Sequence, residues 1–248
     1  MKENKWRLDQ LLVMKSFAES RAKAQALIMS GAVEVNGRVA DKSGMFVRED
    51  VDIKLIKRMQ YVSRGGEKLA GALKDFNILV EGRVALDIGA STGGFTDCLL
   101  HNKARKIYAV DVGHGLLDPK IRQDKRVVVI EGFNARYLDK KIITEKIDLV
   151  TIDVSFISLK KILPVLDRID FTGIVIALIK PQFEVGRKHL KKGVVRDQKI
   201  INSTIEDIKI FSESLGYKVI DIKRSVLRGP RGNTEYFIVT WGFFAIYS

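Results

Sequence analysis

Cysteine is almost absent from this 248-residue chain: Cys98 stands alone, so no intrachain disulfide can form. Histidine is nearly as scarce. His101, His114 and His189 do not cluster with cysteine at metal-ligand spacing, and no metal site is expected. Acidic residues are in deficit, with 30 Asp+Glu against 43 Lys+Arg, a formal net charge of +13 and a pI near 9.7. That imbalance points to a polyanionic partner, nucleic acid first and an anionic membrane second. It is not a basic tail, because positions 1–60 already hold 12 Lys+Arg against 8 Asp+Glu. Long apolar runs are missing too, all falling well short of the roughly 18 residues a spanning helix needs. The nearest, "YFIVTWGFFAIYS", reads as a strand plus a short tail. The N-terminal "MKENKWRLDQLL" lacks the apolar centre of a signal peptide, so a cytoplasmic home is expected. No repeat, low-complexity tract or protein partner is evident, and oligomeric state is left open.

What is present suits a folded protein, with 46% apolar and 29% charged residues. In "RLDQLLVMKSF", Leu8, Leu11, Leu12 and Met14 share a helical face. "SRAKAQALIMSG" is a second helix with Ser20 as N-cap and Gly31 as its stop. "AVEVNGRVADK" carries Asn-Gly between short alternating segments, the strongest local hairpin signal. "VREDVDIKLI" adds a strand. These elements make a small α+β module over residues 1–58. Arg7, Arg21 and Lys23 on or near its helices are either a solvated surface or, given the net charge, RNA contacts.

The pattern Arg-Leu-Asp-x-x-Leu, then Ser-Arg-x-x-Ala-x-x-Leu-Ile-x-x-Gly-x-Val-x-Val-Asn-Gly, resembles the RNA-binding domain named after ribosomal protein S-four. The match runs from Arg7 to about Leu55, and it implies that the two helices face RNA.

A basic linker, residues 59–64, precedes residues 65–248, where strands and helices alternate. The strands are "RVALDIGA", "KIYAVDVG", "RVVVIEG", "KIDLVTIDVSF" and "GIVIALIK"; "EKLAGALKDF", "GGFTDCLLHNK", "LKKILPVLDRI" and "KIINSTIEDIKIFSESLG" read as helices. The alternation predicts an α/β fold, a mostly parallel seven-stranded sheet with helices on both faces. "YKVIDIKRSVL" and "TEYFIVTWGFF" have no helix between them and should form an antiparallel pair at one edge.

In "LDIGASTGGFTD", Asp87 ends the first strand and Gly89, Gly93 and Gly94 precede a helix. Glycines there let backbone approach a ligand. The spacing is Gly-x-x-x-Gly-Gly, which is not the dinucleotide fingerprint, so hydride chemistry is disfavoured. Asp111, 24 residues after Asp87, suits a ribose diol. The arrangement resembles Rossmann-like methyltransferases that use S-adenosylmethionine. By that likeness Gly89, Ala90, Ser91, Thr92, Gly93 and Gly94, flanked by Asp87 and Phe95, would wrap the amino-acid end of the cofactor. Asp111 would hold the ribose, Asn134 would sit near the adenine, and Asp153 would lie at the same edge.

Ligands of open α/β sheets sit outside the carboxyl ends of the strands. Lys180 ends the apolar run Ile174–Ile179 and Pro181 follows at once; Asp153 ends another strand. Lys68 lies on the helix before the first strand, and Glu235 starts the last. A charged amine closing an apolar strand costs free energy unless it is paired or its pKa falls, and Glu184 is its simplest partner. Lys-Asp-Lys-Glu is the tetrad of the FtsJ/RrmJ-type ribose 2′-O-methyltransferases. The flanks "SRGGEKL", "TIDVSF", "IKPQFE" and "NTEYF" resemble the TlyA branch, often labelled hemolysins. The resemblance implies Lys68, Asp153, Lys180 and Glu235 as catalytic residues and a cytidine ribose of ribosomal RNA as target. Arg64, Arg187, Lys188, Lys191, Lys192, Arg228 and Arg231 flank these positions and suit a phosphate backbone. A non-catalytic RNA-binding or ribosome-assembly factor is the alternative. A membrane-lytic role is disfavoured, since no export signal, span or amphipathic membrane helix is seen.

Overall fold

The computed structural model describes residues 5–29, 32–40, 42–55 and 60–242. The chain divides into two compact units, residues 1–60 and 61–248. Gly31, expected to stop the second helix, and the end of the C-terminal tail lie outside the described residues.

The small unit runs β1 (Lys5–Arg7), α1 (Leu8–Met14), α2 (Arg21–Met29), β2 (Val33–Val35), β3 (Arg38–Val39), β4 (Phe46–Arg48) and β5 (Ile53–Leu55). Ser20 Oγ accepts a hydrogen bond from Lys23 N at 3.2 Å, so it caps α2 as its sequence position suggests. Asn36 and Gly37 both take positive φ, 49° and 77°, and join β2 to β3 as a tight hairpin. The single strand expected over "VREDVDIKLI" is two. β4 pairs with β1 and β5 with β2, because the chain turns at Glu49–Asp50 and changes sheet. Leu8, Leu11, Leu12, Ile28 and Val33 are wholly buried in this unit's own core.

The large unit runs α3 (Arg64–Asp75), β6 (Val84–Ile88), α4 (Gly94–His101), β7 (Lys106–Val110), α5 (Pro119–Arg122), β8 (Val127–Ile130), β9 (Leu149–Ile152), β10 (Ile174–Ile179), α6 (Pro181–Glu184), α7 (Gln198–Ser214), β11 (Tyr217–Arg224) and β12 (Tyr236–Gly242). Its seven strands are ordered β11-β12-β10-β9-β6-β7-β8. All neighbours from β10 to β8 are parallel, while β12 is antiparallel to both β10 and β11. Strand pleating sorts side chains by parity. On β10, Ile174, Ile176 and Leu178 join one core with α3 and α4, whereas Val175, Ala177 and Ile179 join the other, against α7.

One expected helix is not α-helical. "LKKILPVLDRI" forms two 3₁₀ turns, Leu159–Lys161 and Leu163–Ile169. Pro164 has no N–H to donate and its ring clashes with the preceding turn's carbonyl, so a continuous α-helix is blocked.

Candidate active site

The site forms along the carboxyl ends of β6, β7, β9 and β10. The antiparallel register Ile179↔Tyr236 brings the start of β12 beside the end of β10, so Lys180 and Glu235 become neighbours across 55 residues of chain. Lys68 comes from the second turn of α3. Two ion pairs result: Lys68 Nζ to Glu235 Oε2 at 2.7 Å and Lys180 Nζ to Asp153 Oδ1 at 2.6 Å. The four residues thus meet at one edge. Lys68 and Lys180 are buried, and Glu235 is only 1% exposed. Glu184 does not pair with Lys180. It accepts from Ser158 Oγ and Leu159 N, because α6 turns it toward the segment after β9.

Three neighbours of this quartet escape a reading by residue type. Ser155 Oγ accepts from Lys180 Nζ at 3.0 Å. Gln182 Nε2 donates to Glu235 Oε1 at 3.0 Å, so both Glu235 oxygens are held. A Cβ on Gly229 would stand 2.0 Å from Glu235 Oε1, so a side chain there would have to push that carboxylate aside. Gln182 and Ser155 lie inside "KPQFE" and "DVSF", two residues beyond Lys180 and Asp153, which is the only local signal for them.

Two cavities adjoin the quartet. One, about 270 Å³, is lined by Lys68, Asp153 and Lys180 and by Ala90, Ser91, Thr92, Gly94 and Phe95; Arg64, Arg228 and Gly229 also reach it. The other, about 420 Å³, has apolar walls from Val110, Phe133 and Ile162, with Asp111 and Asn134 as polar groups. Gly89, Ser91, Asp153 and Ser155 line both. Gly89 has φ +87°, and a Cβ there would lie 2.6 Å from the Asp153 carbonyl oxygen. Only glycine permits that approach. Asp111 accepts backbone N–H bonds from Ser91 at 2.8 Å and Gly113 at 2.7 Å, which fixes the loops on either side. Asn134 Oδ1 accepts from Arg136 N, capping the turn after β8.

Asp87 and Gly93 line neither cavity. Asp87 is fully buried and accepts from Thr96 Oγ1 at 2.7 Å and Thr151 Oγ1 at 2.8 Å. Its oxygens tie β6 to α4 and β9, so the structure places it behind the cavity wall where the sequence reading has it flanking the cofactor. Burial pushes its carboxyl up to about 6 despite those two bonds. Gly93, in the left-handed region, caps α4, and its space is taken by Leu117 and Ile121.

The basic candidates fall in both units. In the small one, buried Asp9 gathers Arg7 through Nε and Nη2 at 3.1 and 3.0 Å, Arg21 Nε at 3.0 Å and Gln25 Nε2 at 2.9 Å. Arg7 and Arg21 stay part-exposed, with their forks fixed by the carboxylate. Lys23 pairs with Glu19. In the large unit Arg64 Nη2 donates to the Arg228 carbonyl at 2.9 Å, and Arg231 Nη1 to that of Lys192 at 3.2 Å. Lys188, Lys191 and Lys192 are exposed; the side chain of Arg187 lies outside the described residues.

Residues 61–241 match the FtsJ-like methyltransferase family and residues 6–53 match the S4 domain. The chain belongs to the FtsJ-like methyltransferases. Its relatives carry two kinds of name. "Hemolysin A" of Brachyspira hyodysenteriae is 43% identical over 240 residues, covering 93% of this chain and 97% of that protein. The "16S/23S rRNA (cytidine-2'-O)-methyltransferase TlyA" of Mycobacterium tuberculosis is 41% identical over 236 residues, 94% of this chain and 88% of that one. Among solved structures, a proposed hemolysin from Streptococcus thermophilus is 41% identical with a TM-score of 0.76, covering 98% of this chain and 90% of that chain. No helix among the described residues is long and apolar enough to cross a membrane.

Proposed function

We propose that this FtsJ-like methyltransferase transfers a methyl group from S-adenosylmethionine to a ribose 2′-hydroxyl of ribosomal RNA, a cytidine by the likeness to its named relative. The observation that carries the reading is the pairing of Lys68 with Glu235 and Lys180 with Asp153 beside a cavity that the Gly89 cradle opens. The residues present fit the cofactor. The 420 Å³ cavity has apolar walls for a purine, Asp111 for a ribose diol and Asn134 for the base edge. When bound, the cofactor supplies an electrophilic methyl on a sulfonium.

The chain's task is to place and activate a hydroxyl that is a poor nucleophile at neutral pH. Lys180 Nζ, held between Asp153 and Ser155, first gives up its own proton to solvent and then accepts the 2′-hydroxyl proton as the oxygen gains the methyl group. Asp153 at 2.6 Å stabilises the ammonium so formed. Lys68, fixed through Glu235, which Gln182 also holds, orients the ribose. Transfer of this kind depends on alignment more than on covalent catalysis. The exposed cations of both units supply phosphate contacts.

Radiolabelled methyl should pass from S-adenosylmethionine to unmodified ribosomal subunits. Lys180→Met should lower transfer by about 10²–10⁴-fold while leaving cofactor binding by calorimetry intact. Full activity in that variant would remove the lysine's role; no cofactor binding by the wild-type chain would favour an RNA-binding assembly factor instead.

A further inference from the structure

A second basic cleft lies beyond the cofactor cavity, and neither the tetrad nor the loops around it account for it. Its volume is about 370 Å³, and Arg136, Tyr137, Lys161 and Arg168 line it together with Pro164 and Val165. The walls are the turn after β8 and the two 3₁₀ turns Leu159–Lys161 and Leu163–Ile169, the second of which holds Pro164. Arg168 Nη1 donates to the Arg136 carbonyl at 3.1 Å and joins the walls. Tyr137 is 65% exposed, and the Arg136 guanidinium sits 5.9 Å from the centre of its ring.

The charge balance singles this cleft out. Nearby Lys140 and Lys160 are neutralised, by Asp170 and Asp207 respectively. Among the described residues, Arg136, Lys161 and Arg168 have no carboxylate partner. Three unpaired cations around one concavity repel one another, a cost that a bound polyanion would relieve. A planar, largely exposed ring beside a guanidinium is also what a nucleobase or sugar face packs against. Arg136 lines the cofactor cavity as well, so the cleft adjoins that cavity across this side chain.

The geometry points to this cleft as a second docking surface for the sugar-phosphate backbone of the substrate RNA. It holds a stretch flanking the methylated nucleotide: Lys161 and Arg168 take phosphates and Tyr137 takes a base or ribose. This rests on the RNA methyltransferase reading above. It adds a contact made by a face of the large unit that the tetrad and the 187–192 loop do not supply.

The test uses the full chain with unmodified large ribosomal subunits as probe. Lys161→Ala/Arg168→Ala, with neither residue in the cofactor cavity or the tetrad, should weaken subunit binding. The plot of log K against log salt should become shallower by about 1.4–1.8, because two phosphates are no longer neutralised. KM for the subunits should rise while kcat and cofactor affinity stay at wild-type values. Tyr137→Ala should weaken binding without changing the salt slope. Unchanged binding and slope in the double variant, with wild-type methyl transfer present, overturn the cleft alone, and they do so even if an acidic protein is found to occupy it. Absence of methyl transfer by the wild-type chain would instead overturn the enzymatic reading. An unaltered melting temperature for the double variant checks that folding is intact.

Discussion

One added methyl at position 229 would land 2.0 Å from Glu235 Oε1. That carboxylate already spans Lys68 and Gln182, so it has nowhere to retreat without breaking one of them. Gly229→Ala should therefore displace the Lys68–Glu235 pair by the order of an ångström. Misplacement on that scale costs about 10²-fold in rate. Single-turnover methyl transfer should fall by that factor while the melting temperature moves little, and an unimpaired rate would show that Glu235 can shift freely. Strand-end positions made Asp153, Lys180 and Glu235 candidates in the sequence, and the resemblance to FtsJ-type enzymes joined them with Lys68 into one set, which the fold brings together as two ion pairs. Gln182, Ser155 and Gly229 were not legible in this way, because their roles exist only through contacts that the folded sheet creates. Asp87 misled for the same reason. An acid before a glycine loop looks exposed until Thr96 and Thr151 are seen to enclose it.

Short elements that frame the cofactor cavity are held by carboxylates on neighbouring strands. Glu131, just past β8, accepts from Gly115 N at 2.9 Å and Leu117 N at 3.2 Å and pairs with Arg122 of α5 at 2.6 Å. Arg122 and the two amides hold its carboxyl down at about 2, so the clamp is ionised throughout neutral and mildly acidic pH. Leu116, between the two amides, lines the cavity. Glu131→Gln should slacken this loop and weaken cofactor binding by roughly tenfold, the worth of about 1.4 kcal/mol for one charge-assisted bond. Calorimetry with S-adenosylmethionine measures it; turnover at saturating cofactor should be unchanged, and an unaltered affinity would separate the loop from the cofactor. At this scale the sequence was informative wherever periodicity or turn chemistry was strong, as in the Asn36-Gly37 hairpin and the apolar run of β10. It was weakest over residues 159–169, where the apolar spacing is helical and the outcome rested on the missing N–H of Pro164.

The two units keep separate cores and carry opposite responses to acid. In the small unit, Arg7 first, then Gln25 and Arg21, hold the Asp9 carboxyl well below the usual carboxylate range. A depressed carboxyl stabilises the fold fully above its unfolded pKa, about 3.9, and that contribution drains away as pH falls toward the folded value. In the large unit, Asp87 is raised to about 6. The folded state then binds the proton more readily than the unfolded one, so this residue adds stability as pH falls from about 6 to about 4 and nothing further below that. Below pH 4 the small unit progressively loses the stability that ionised Asp9 contributes, while the large unit has already gained what Asp87 offers. The chain holds two tryptophans, half-buried Trp6 in the small unit and half-exposed Trp241 on β12, which give each unit its own signal. With Trp6→Phe and Trp241→Phe variants read separately, the denaturant midpoint reported by Trp6 should drop below pH 4. That reported by Trp241 should rise between pH 6 and 4 relative to the same measurement on Asp87→Asn. Asp9→Asn should flatten the acid loss of the small unit and lower its midpoint at pH 7, since the four donors of Arg7, Arg21 and Gln25 then face a neutral amide. Parallel titration of both signals, with neither substitution changing either curve, would show that these carboxylates do not set the acid response of the units that enclose them.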